Sequence, residues 1–209
     1  PVVKSAITAT GVAEEIDKEL STNYELGARF SITEHVNLAA TFFYMDFENQ
    51  VIPVSLAAGA SGSANGGRTK HAGVEFSADV DLAKSFGSDH SLPIGGNVTY
   101  TNARFAGKDN VVDNILPYSP KLMLNAFIGF EHNSGFGIRF FSNYVGEQFN
   151  DPKNTEIPTP DGQIGKIAAR NVIDGSLFYT LPNKKLSFNV AVRNLTDERY
   201  IVSRNPQGI

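Results

Sequence analysis

Apolar and polar residues alternate with a period of two in about eight stretches of this 209-residue chain, and this pattern constrains the fold more than any other feature. In "LSFNVAVRN", for example, Leu186, Phe188 and Val190 fall on one side and polar or small residues on the other. An extended strand points successive side chains to opposite faces, so each stretch predicts a strand with one apolar and one polar face. The stretches cover 23–30, 36–45, 73–80, 97–102, 122–130, 137–145, 172–181 and 186–193.

The lengths of the stretches and of their connectors favour a transmembrane barrel. Most stretches run for about nine to twelve residues, which a tilted strand needs to cross a bilayer and which exceeds the usual globular strand. Short connectors such as "SITEH", "EHNSG" and "LPNKK", and a longer "AKSFGSDHSLP", alternate with long ones such as "ARFAGKDNVVDNILPYSPK". Short periplasmic turns alternating with long external loops are typical of antiparallel outer-membrane barrels. A soluble β-sandwich is the alternative.

The distribution of charge indicates which face would meet lipid. The apolar sides of the stretches carry essentially no charge, whereas the opposite sides carry Glu25, Arg29, Glu75, Asp79, Glu131, Arg139, Asp174 and Arg193. A lipid-facing Arg or Lys at the bilayer midplane costs roughly 2–4 kcal/mol, so we expect these charges to face inward. Tyrosines near strand ends on the apolar side suit an interfacial aromatic girdle, or are ordinary sheet residues. They are Tyr24, Tyr44, Tyr100 and Tyr144.

Composition and motifs exclude several functional classes. The chain has no Cys, which excludes disulfides and thiolate chemistry, and its net charge of −4 without a basic run argues against nucleic acid as a partner. No apolar run is long enough for a transmembrane helix. The four histidines lack metal-ligand spacing and no GxSxG occurs, so we predict no enzyme, no metal site and no cofactor.

The sequence is expected to be part of a larger barrel. The inward positions are mostly small or polar, which suits a wide lumen better than the packed interior of a closed eight-stranded barrel. An open sheet edge in lipid would leave unpaired backbone groups that cost several kcal/mol each. We therefore expect the strand near Asn23 and the strand near Leu186 to pair with strands outside residues 1–209.

Four segments resemble the TonB-dependent outer-membrane receptors. "NLTDERYIVSRNPQGI" is similar to the "NLxDxxY" stretch that closes the penultimate strand of that family, and three further segments resemble its recurring strand openings. These are "ELSTNYELGARF", "GGRTKHAGVEFSADVDL" and "LPYSPKLMLNAFIGF". The segments lie in the family's order and span nearly the whole chain. The stretch "YIVSRNPQGI" resembles the branch described as ferric-citrate-type receptors.

The resemblance implies a 22-stranded barrel with a plug domain, of which residues 1–209 would be the C-terminal portion without the plug and the final strand. It implies a receptor that binds a ferric siderophore or ferric citrate at its extracellular loops and imports it with TonB-derived energy. The expected partners are outer-membrane lipid, the plug of the same protein, TonB acting through that plug, and the ferric chelate. The expected location is the bacterial outer membrane.

An anionic ferric complex needs cations and hydrogen-bond donors at the extracellular mouth. The candidate ligand-binding residues are Arg68, His71, Arg104, Tyr118 and Arg170, and Arg68 and His71 are the pair that we expect to touch ligand. The alternative for each of the five is a solvated loop residue without a ligand. If Glu75 faces the lumen, the period of two puts His71 and Thr69 on the same side, whereas Arg68 lies in a loop where this argument fails. A passive outer-membrane channel and a secreted β-rich binding module remain as alternative functions.

Overall fold

The computed structural model describes residues 5–7, 13–15, 17–55, 61–65, 67–107 and 111–204, which form twelve strands and one short helix. The strands are β1 (Ser5–Ile7), β2 (Ala13–Glu15), β3 (Leu20–Thr33), β4 (Val36–Glu48), β5 (Val51–Ser55), β6 (Ser61–Asn65), β7 (Thr69–Asp81), β8 (Pro93–Phe105), β9 (Leu122–Glu131), β10 (Phe136–Val145), β11 (Arg170–Thr180) and β12 (Ser187–Val192). The helix α1 (Leu82–Ser85) follows β7 directly. Within the described residues no helix is long and apolar enough to cross a membrane.

Eight of the strands form one antiparallel sheet in the order β12-β11-β10-β9-β8-β7-β4-β3. Each strand of this sheet pairs with the next one along the chain, apart from the β5–β6 hairpin inserted between β4 and β7. Such a meander needs only turns and loops as connections, because antiparallel neighbours enter and leave at the same end. The prediction of an all-β antiparallel fold with about eight strands is confirmed.

The connections at the two ends of the sheet differ in length. One end carries the connections 34–35, 82–92, 132–135 and 181–186, and the other carries 49–68, 106–121 and 146–169. We call the second end the loop end and the first the turn end. The predicted alternation of short turns with long loops is therefore present in the structure.

The apolar face of the sheet is exposed rather than packed in a core. Leu26 is 74% exposed, Phe42 60% and Val190 64%. The buried apolar residues lie at the loop end instead, where Ala103, Phe105 and Leu116 cluster. A soluble β-sandwich would bury the apolar rows of its strands against a second sheet, so this arrangement is not that of a sandwich.

The four tyrosines of the predicted girdle all lie on the apolar face, along a line oblique to the strands. Tyr24 and Tyr44 are directly opposed, whereas the registers through β7, β8 and β9 place Tyr100 two residues and Tyr144 four residues nearer the turn end. From Tyr44 to Tyr144 the line descends about 13 Å while it crosses four strand spacings, about 19 Å. If the rings mark one membrane boundary, the strands tilt by roughly 35°, as in outer-membrane barrels.

Three features differ from the sequence prediction. The loop predicted after β4 contains the β5–β6 hairpin, whose strand β5 includes Pro53. The turn after β7 contains α1, capped by the Asp81 carboxylate, which accepts a hydrogen bond from the Lys84 amide at 3.0 Å. Strand β12 ends at Val192, so Arg193, predicted to point inward, lies just past the strand. The predicted absence of a closing strand concerns residues that lie outside the described part of the chain.

The early end of β12 has a local cause. The backbone turns at Asn194, whose φ is 53°, and the Asn194 amide donates to the Asp174 carboxylate at 2.8 Å. The Leu195 amide donates to the Ile173 carbonyl at 2.7 Å. These bonds hold the chain against the middle of β11 in a geometry that differs from the regular β12 ladder, which therefore ends at Val192.

Candidate functional site

The polar face of the sheet forms a continuous wall of charged and amide side chains. The registers place all the charged residues predicted to face inward, apart from Arg193, on the face opposite the tyrosines. They are Glu25, Arg29, Glu75, Asp79, Glu131, Arg139 and Asp174. We call this face the polar wall. Since two of the seven are cationic and five are anionic, these seven residues together carry a net charge of −3.

Few charges on the polar wall are paired with each other. Arg139 forms an ion pair with Glu131, and its guanidinium lies 5.7 Å from the centre of the Phe178 ring. Within the described residues Arg29 and Glu75 form no ion pair, and they line a hollow of about 380 Å³ together with Asn97 and Thr99. Unpaired charges of this kind require water or a polar partner, because a charge left alone in a dry interior is expensive.

Amide groups link three neighbouring strands across the polar wall. Asn125 donates to the Asn97 side-chain carbonyl at 3.0 Å, and Asn143 donates in turn to the Asn125 side-chain carbonyl. Each amide still has donor and acceptor capacity for a further partner. The wall therefore offers hydrogen-bonding groups in the centre of the sheet as well as charges.

Glycines accommodate the aromatic rings on this wall. Phe43 lies directly opposite Gly73, and Phe178 lies directly opposite Gly137. A Cβ atom at Gly137 would come within 2.1 Å of the Phe178 ring. The rings therefore lie flat over the neighbouring strand instead of projecting away from the wall.

The loop end is an ordered cap built from three segments. Loop 106–121 contacts loop 146–169, because Asn154 accepts from the Ile115 amide at 2.7 Å and donates to the Ile115 carbonyl at 2.8 Å. The segment 194–204 joins them through Arg204, which donates to the carbonyls of Gly162 at 2.9 Å and Lys166 at 3.1 Å. The Tyr118 hydroxyl donates to the Arg204 carbonyl at 3.0 Å. Together these segments form what we call the loop cap.

Two carboxylates stabilise the fold of loop 146–169 locally. Asp151 accepts from the amides of Lys153 and Thr155 and from the Thr155 hydroxyl, at 3.0–3.1 Å. Asp161 accepts from the Thr159 hydroxyl and the Gln163 amide, and these bonds hold the pKa of Asp161 below its usual value. The loop therefore has a defined shape even though it has no strands of its own.

Lys166 is the most strongly paired cation of the loop cap. Its ammonium lies 2.7 Å from Glu147 and 3.1 Å from Glu156, and hydrogen bonds to these carboxylates raise the pKa of Lys166. It also lies 5.6 Å from the centre of the Phe149 ring. This cation is therefore occupied by its own loop.

Arg68 and Arg104 point to the apolar side of the sheet at the loop end. Arg68 makes a two-point hydrogen bond to Asp46, a residue on the same face as Tyr44, and this pairing raises the pKa of Arg68. Arg104 has the strand parity of Tyr100, and it donates to the Asn102 side chain at 2.7 Å and to the Asp113 carbonyl. Both guanidinium groups are thus engaged on the side away from the polar wall.

His71 lies on the polar-wall side, as the period of two predicts. It shares that side with Thr69 and Glu75, and its Nε2 lies 3.2 Å from the Thr69 hydroxyl. Thr69 is fully buried and donates to the Gln50 side-chain carbonyl at 2.5 Å. The half-buried His71 ring packs 5.0 Å from Phe47, so its position is fixed by β4 and the chain that follows it.

Tyr118 lies in the loop cap, whereas Arg170 begins β11 immediately after loop 146–169. Tyr118 has a φ of 55° and a half-exposed ring, and its hydroxyl donates a hydrogen bond to the Arg204 carbonyl. Arg170 begins β11 on the polar-wall side, opposite Val145, with its guanidinium 4.7 Å from the centre of the Tyr200 ring. The structure therefore places Arg68 and Arg104 on the apolar side at the ends of β7 and β8, and His71 on the opposite side. Tyr118 and Arg170 contact different residues of the segment 194–204, Arg204 and Tyr200.

The described residues contain no group of three or more His, Asp or Glu placed to hold a metal ion. What they do contain is a charged wall closed at one end by ordered loops. Such an arrangement can bind and hold a ligand.

The family model for the TonB-dependent receptor-like β-barrel matches residues 5–195. The chain belongs to this family. Its members are receptors and transporters of the bacterial outer membrane. The resemblance noted from the four sequence segments is thereby confirmed.

Solved TonB-dependent receptors share the fold. The chain is 23% identical to the ferric citrate transporter FecA in its unliganded form, with a TM-score of 0.74 over 94% of this chain and 29% of FecA. It is 25% identical to the ferric yersiniabactin uptake receptor FyuA from Yersinia pestis, with a TM-score of 0.65 over 90% and 26%. The copper transporter OprC gives 16% identity and a TM-score of 0.70 over 92% and 28%. The chain thus spans between a quarter and a third of each receptor.

Sequence reasoning missed the residues that organise the loop cap of this TonB-dependent receptor segment. Arg204 and Asp151 are largely buried, and their partners are mostly backbone groups of the loops. A backbone partner leaves no signature in residue type, so only the positions of the loops could reveal it. The motif "YIVSRN" contains Arg204, but the motif alone does not assign it this role.

Proposed function

We propose that the chain is part of an outer-membrane receptor that binds an iron chelate at its loop end and imports it with TonB-derived energy. The single observation that carries this proposal is the family match over residues 5–195. Two of the structurally similar receptors are named for ferric citrate and ferric yersiniabactin. Under this proposal residues 1–209 belong to the C-terminal portion of a 22-stranded barrel, and the apolar face contacts outer-membrane lipid.

The polar wall supports a role in binding and gating. Its excess of negative charge and its unpaired Arg29 and Glu75 call for a polar partner within the lumen. We assign that partner to the plug domain of the same protein, on which TonB would pull. The mechanism is then release of a bound ligand past a movable plug, with no bond made or broken by this chain.

Among the five candidate ligand residues, His71 and Arg170 have the orientation that the proposal needs. Both lie on the polar-wall side near the loop end, where a chelate entering from outside would arrive. Arg170 can offer a planar pair of donors to a carboxylate or catecholate oxygen, and His71 can donate or accept. Tyr118 remains a candidate through its exposed ring. Arg68 and Arg104 also remain proposals, although contact with ligand would require them to leave their present partners.

Direct binding to the full-length receptor tests the function. We expect ferric citrate or a ferric catecholate to bind in a calorimetric titration, and His71→Ala/Arg170→Ala to weaken that binding by roughly 10- to 100-fold, as expected for lost bonds to a charged ligand. The matched control is Lys185→Ala, at the turn end. Unchanged affinity in the double variant would remove these two residues from the site, and Arg68→Ala/His71→Ala tests the other pair in the same assay.

Uptake measurements test the class of transport. A TonB-dependent receptor imports its chelate only in cells with TonB, whereas a passive channel would conduct ions in planar bilayers without it. Preferential binding of a copper ion would move the proposed cargo towards that of the structurally similar copper transporter. Solubility without detergent would instead favour the secreted binding module.

A further inference from the structure

The apolar face of the sheet carries an unexpected group of cations near the loop end. The registers place Lys70 directly opposite Arg104, and both residues have the strand parity of Val74 and Tyr100. Arg68 precedes them and reaches Asp46 on the same face. We call Arg68, Lys70 and Arg104 the outer cationic patch. It lies on the side of the sheet opposite the polar wall.

The height of the patch is fixed by the tyrosines. On the apolar face, the next cross-strand pair beyond Tyr44 and Ala72 is Asp46 and Lys70, which lies two residues nearer the loop end. Arg104 lies four residues beyond Tyr100 on β8. At about 3.3 Å per residue these offsets are roughly 7 Å and 13 Å along the strand. Tyrosine rings mark the boundary of the hydrocarbon, so the patch would lie at the level of the lipid headgroups.

The charges of the patch are incompletely matched within the described residues. Asp46 is taken by the two-point bond to Arg68, and Glu48 adds a second negative charge near that guanidinium. Lys70 and Arg104 have no carboxylate within ion-pair distance among the residues described. Asp46 lies directly opposite Lys70 on β4, but both of its oxygens are engaged by Arg68. Like charges directly opposite each other destabilise a sheet, so the Lys70–Arg104 pair favours a further anion.

The three guanidinium and ammonium groups also have suitable chemistry for that anion. Arg104 is held by Asn102 and the Asp113 carbonyl, which leaves further N–H donors without a partner among the described residues, and Lys70 is exposed. Arginine matches the oxygens of a phosphate with paired donors, and lysine binds phosphate as a point charge. Lipid phosphates are the anions found at this depth beside a barrel.

We propose that the outer cationic patch binds the phosphate of an outer-leaflet lipid headgroup, with Lys70 and Arg104 as the principal contacts. The tyrosines below would pack against the upper part of the same lipid. This inference rests on the proposed outer-membrane location, but it does not depend on which chelate the receptor carries. It assigns to the lipid-facing side of the chain a binding site separate from the polar wall.

The test uses the full-length receptor in a neutral detergent, with a short-chain phosphatidic acid as the probe. Native mass spectrometry is expected to show this lipid bound to the receptor. The matched diacylglycerol without phosphate is expected to bind at least about tenfold more weakly, as for the loss of two contacts worth about 1 kcal/mol per cation. Inorganic phosphate, the third arm, is expected not to displace the lipid at equal concentration.

Two variants and a control complete the test. Lys70→Gln is expected to weaken lipid binding several-fold and Lys70→Gln/Arg104→Gln at least about tenfold, whereas Lys184→Gln/Lys185→Gln at the turn end removes two charges without effect. The proposal would be overturned if both variants bound the lipid as tightly as the unchanged receptor. It would also be overturned if diacylglycerol bound as tightly as phosphatidic acid. Displacement by inorganic phosphate would show a free-anion site instead of a lipid site.

Chelate titrations on the same samples separate this inference from the proposed function. Lys70 is not among the candidate ligand residues, so Lys70→Gln is expected to keep full chelate affinity while it loses lipid. A receptor that binds no chelate but retains phosphate-dependent lipid binding would disprove the proposed cargo and leave the patch intact. A receptor that binds the chelate but binds lipids with and without phosphate equally would disprove the lipid site and leave the proposed cargo intact.

Discussion

At the scale of single residues, the most consequential side chain in the structure is Arg204. It is about nine-tenths buried, and its two described hydrogen bonds go to the carbonyls of loop 146–169. Its own carbonyl accepts from Tyr118 in loop 106–121. One residue therefore ties the segment 194–204 to both neighbouring loops, and its two described hydrogen bonds go to peptide carbonyls instead of a carboxylate.

Removing this side chain tests whether the loop cap depends on it. We expect Arg204→Met in the full-length receptor to speed backbone hydrogen exchange in loop 146–169, because two charge-assisted bonds worth about 1.5–3 kcal/mol each are lost. The matched control is Arg199→Met, because the Arg199 side chain is 89% exposed and its ion pair with Asp197, at 3.6 Å, lies at the surface. Equal exchange in the two variants would show that the cap is held by its other contacts.

The candidate ligand residues show at the same scale how far the sequence can predict a site. The orientation of His71 was predictable because it lies in a regular strand, where the period of two transfers from Glu75. The orientation of Arg68 was not, because it precedes β7 and is set by the two-point bond to Asp46 across the sheet. Parity could also have placed Arg104 on the apolar side, had β8 been drawn as far as Phe105.

At the scale of strands and turns, two connections at the turn end contain a glycine with a positive φ. The turn between β9 and β10 uses Gly135 with a φ of 93°, and a Cβ there would lie 2.0 Å from the Thr180 carbonyl oxygen on β11. Gly87, in the connection after α1, has a φ of 76° but no heavy atom within 4 Å of that position. The two glycines share a backbone conformation but differ in the space around them.

This difference predicts unequal costs for the same substitution. Gly87→Ala is expected to lower stability by about 1–2 kcal/mol, the cost of a left-handed backbone for an L-residue. Gly135→Ala should cost clearly more, because the methyl group also forces β10 away from β11. Thermal unfolding of the two variants of the full-length receptor in detergent measures the difference. Equal losses would mean that the turn relaxes freely and that the contact with Thr180 has little weight.

The strands themselves were predictable from the sequence, but their ends and additions were not. The apolar–polar alternation located all eight strands of the sheet, because each one has faces of different polarity. It missed β5, where Pro53 suggested a loop, and β6, where "SGSAN" contains no apolar period. It also extended β12 too far, because the turn at Asn194 depends on Asp174 from the neighbouring strand.

At the scale of the whole molecule, the two faces of one sheet divide the functions of the chain. The apolar face carries the tyrosines and, near the loop end, the outer cationic patch. The polar wall carries the linked amides and the seven predicted inward charges, whose sum is −3. Ordered loops close the end where both faces meet. This division agrees with membership of the TonB-dependent receptor-like β-barrel family, since a transmembrane barrel needs one side for lipid and the other for its lumen.

The absence of cysteine makes the central claim directly measurable, because single cysteines can be introduced into these 209 residues without a native background. Neighbouring positions on two adjacent strands, Phe42 and Thr41 on β4 and Val74 and Glu75 on β7, would each carry one spin label in the bilayer-embedded full-length receptor. The labels at positions 42 and 74 are expected to be relaxed by oxygen, which concentrates in lipid. Those at 41 and 75 are expected to be protected from oxygen and accessible, if at all, to a water-soluble nickel complex. Oxygen access at 41 and 75 with protection at 42 and 74 would contradict the assignment of the two faces, and so would the same access at all four positions.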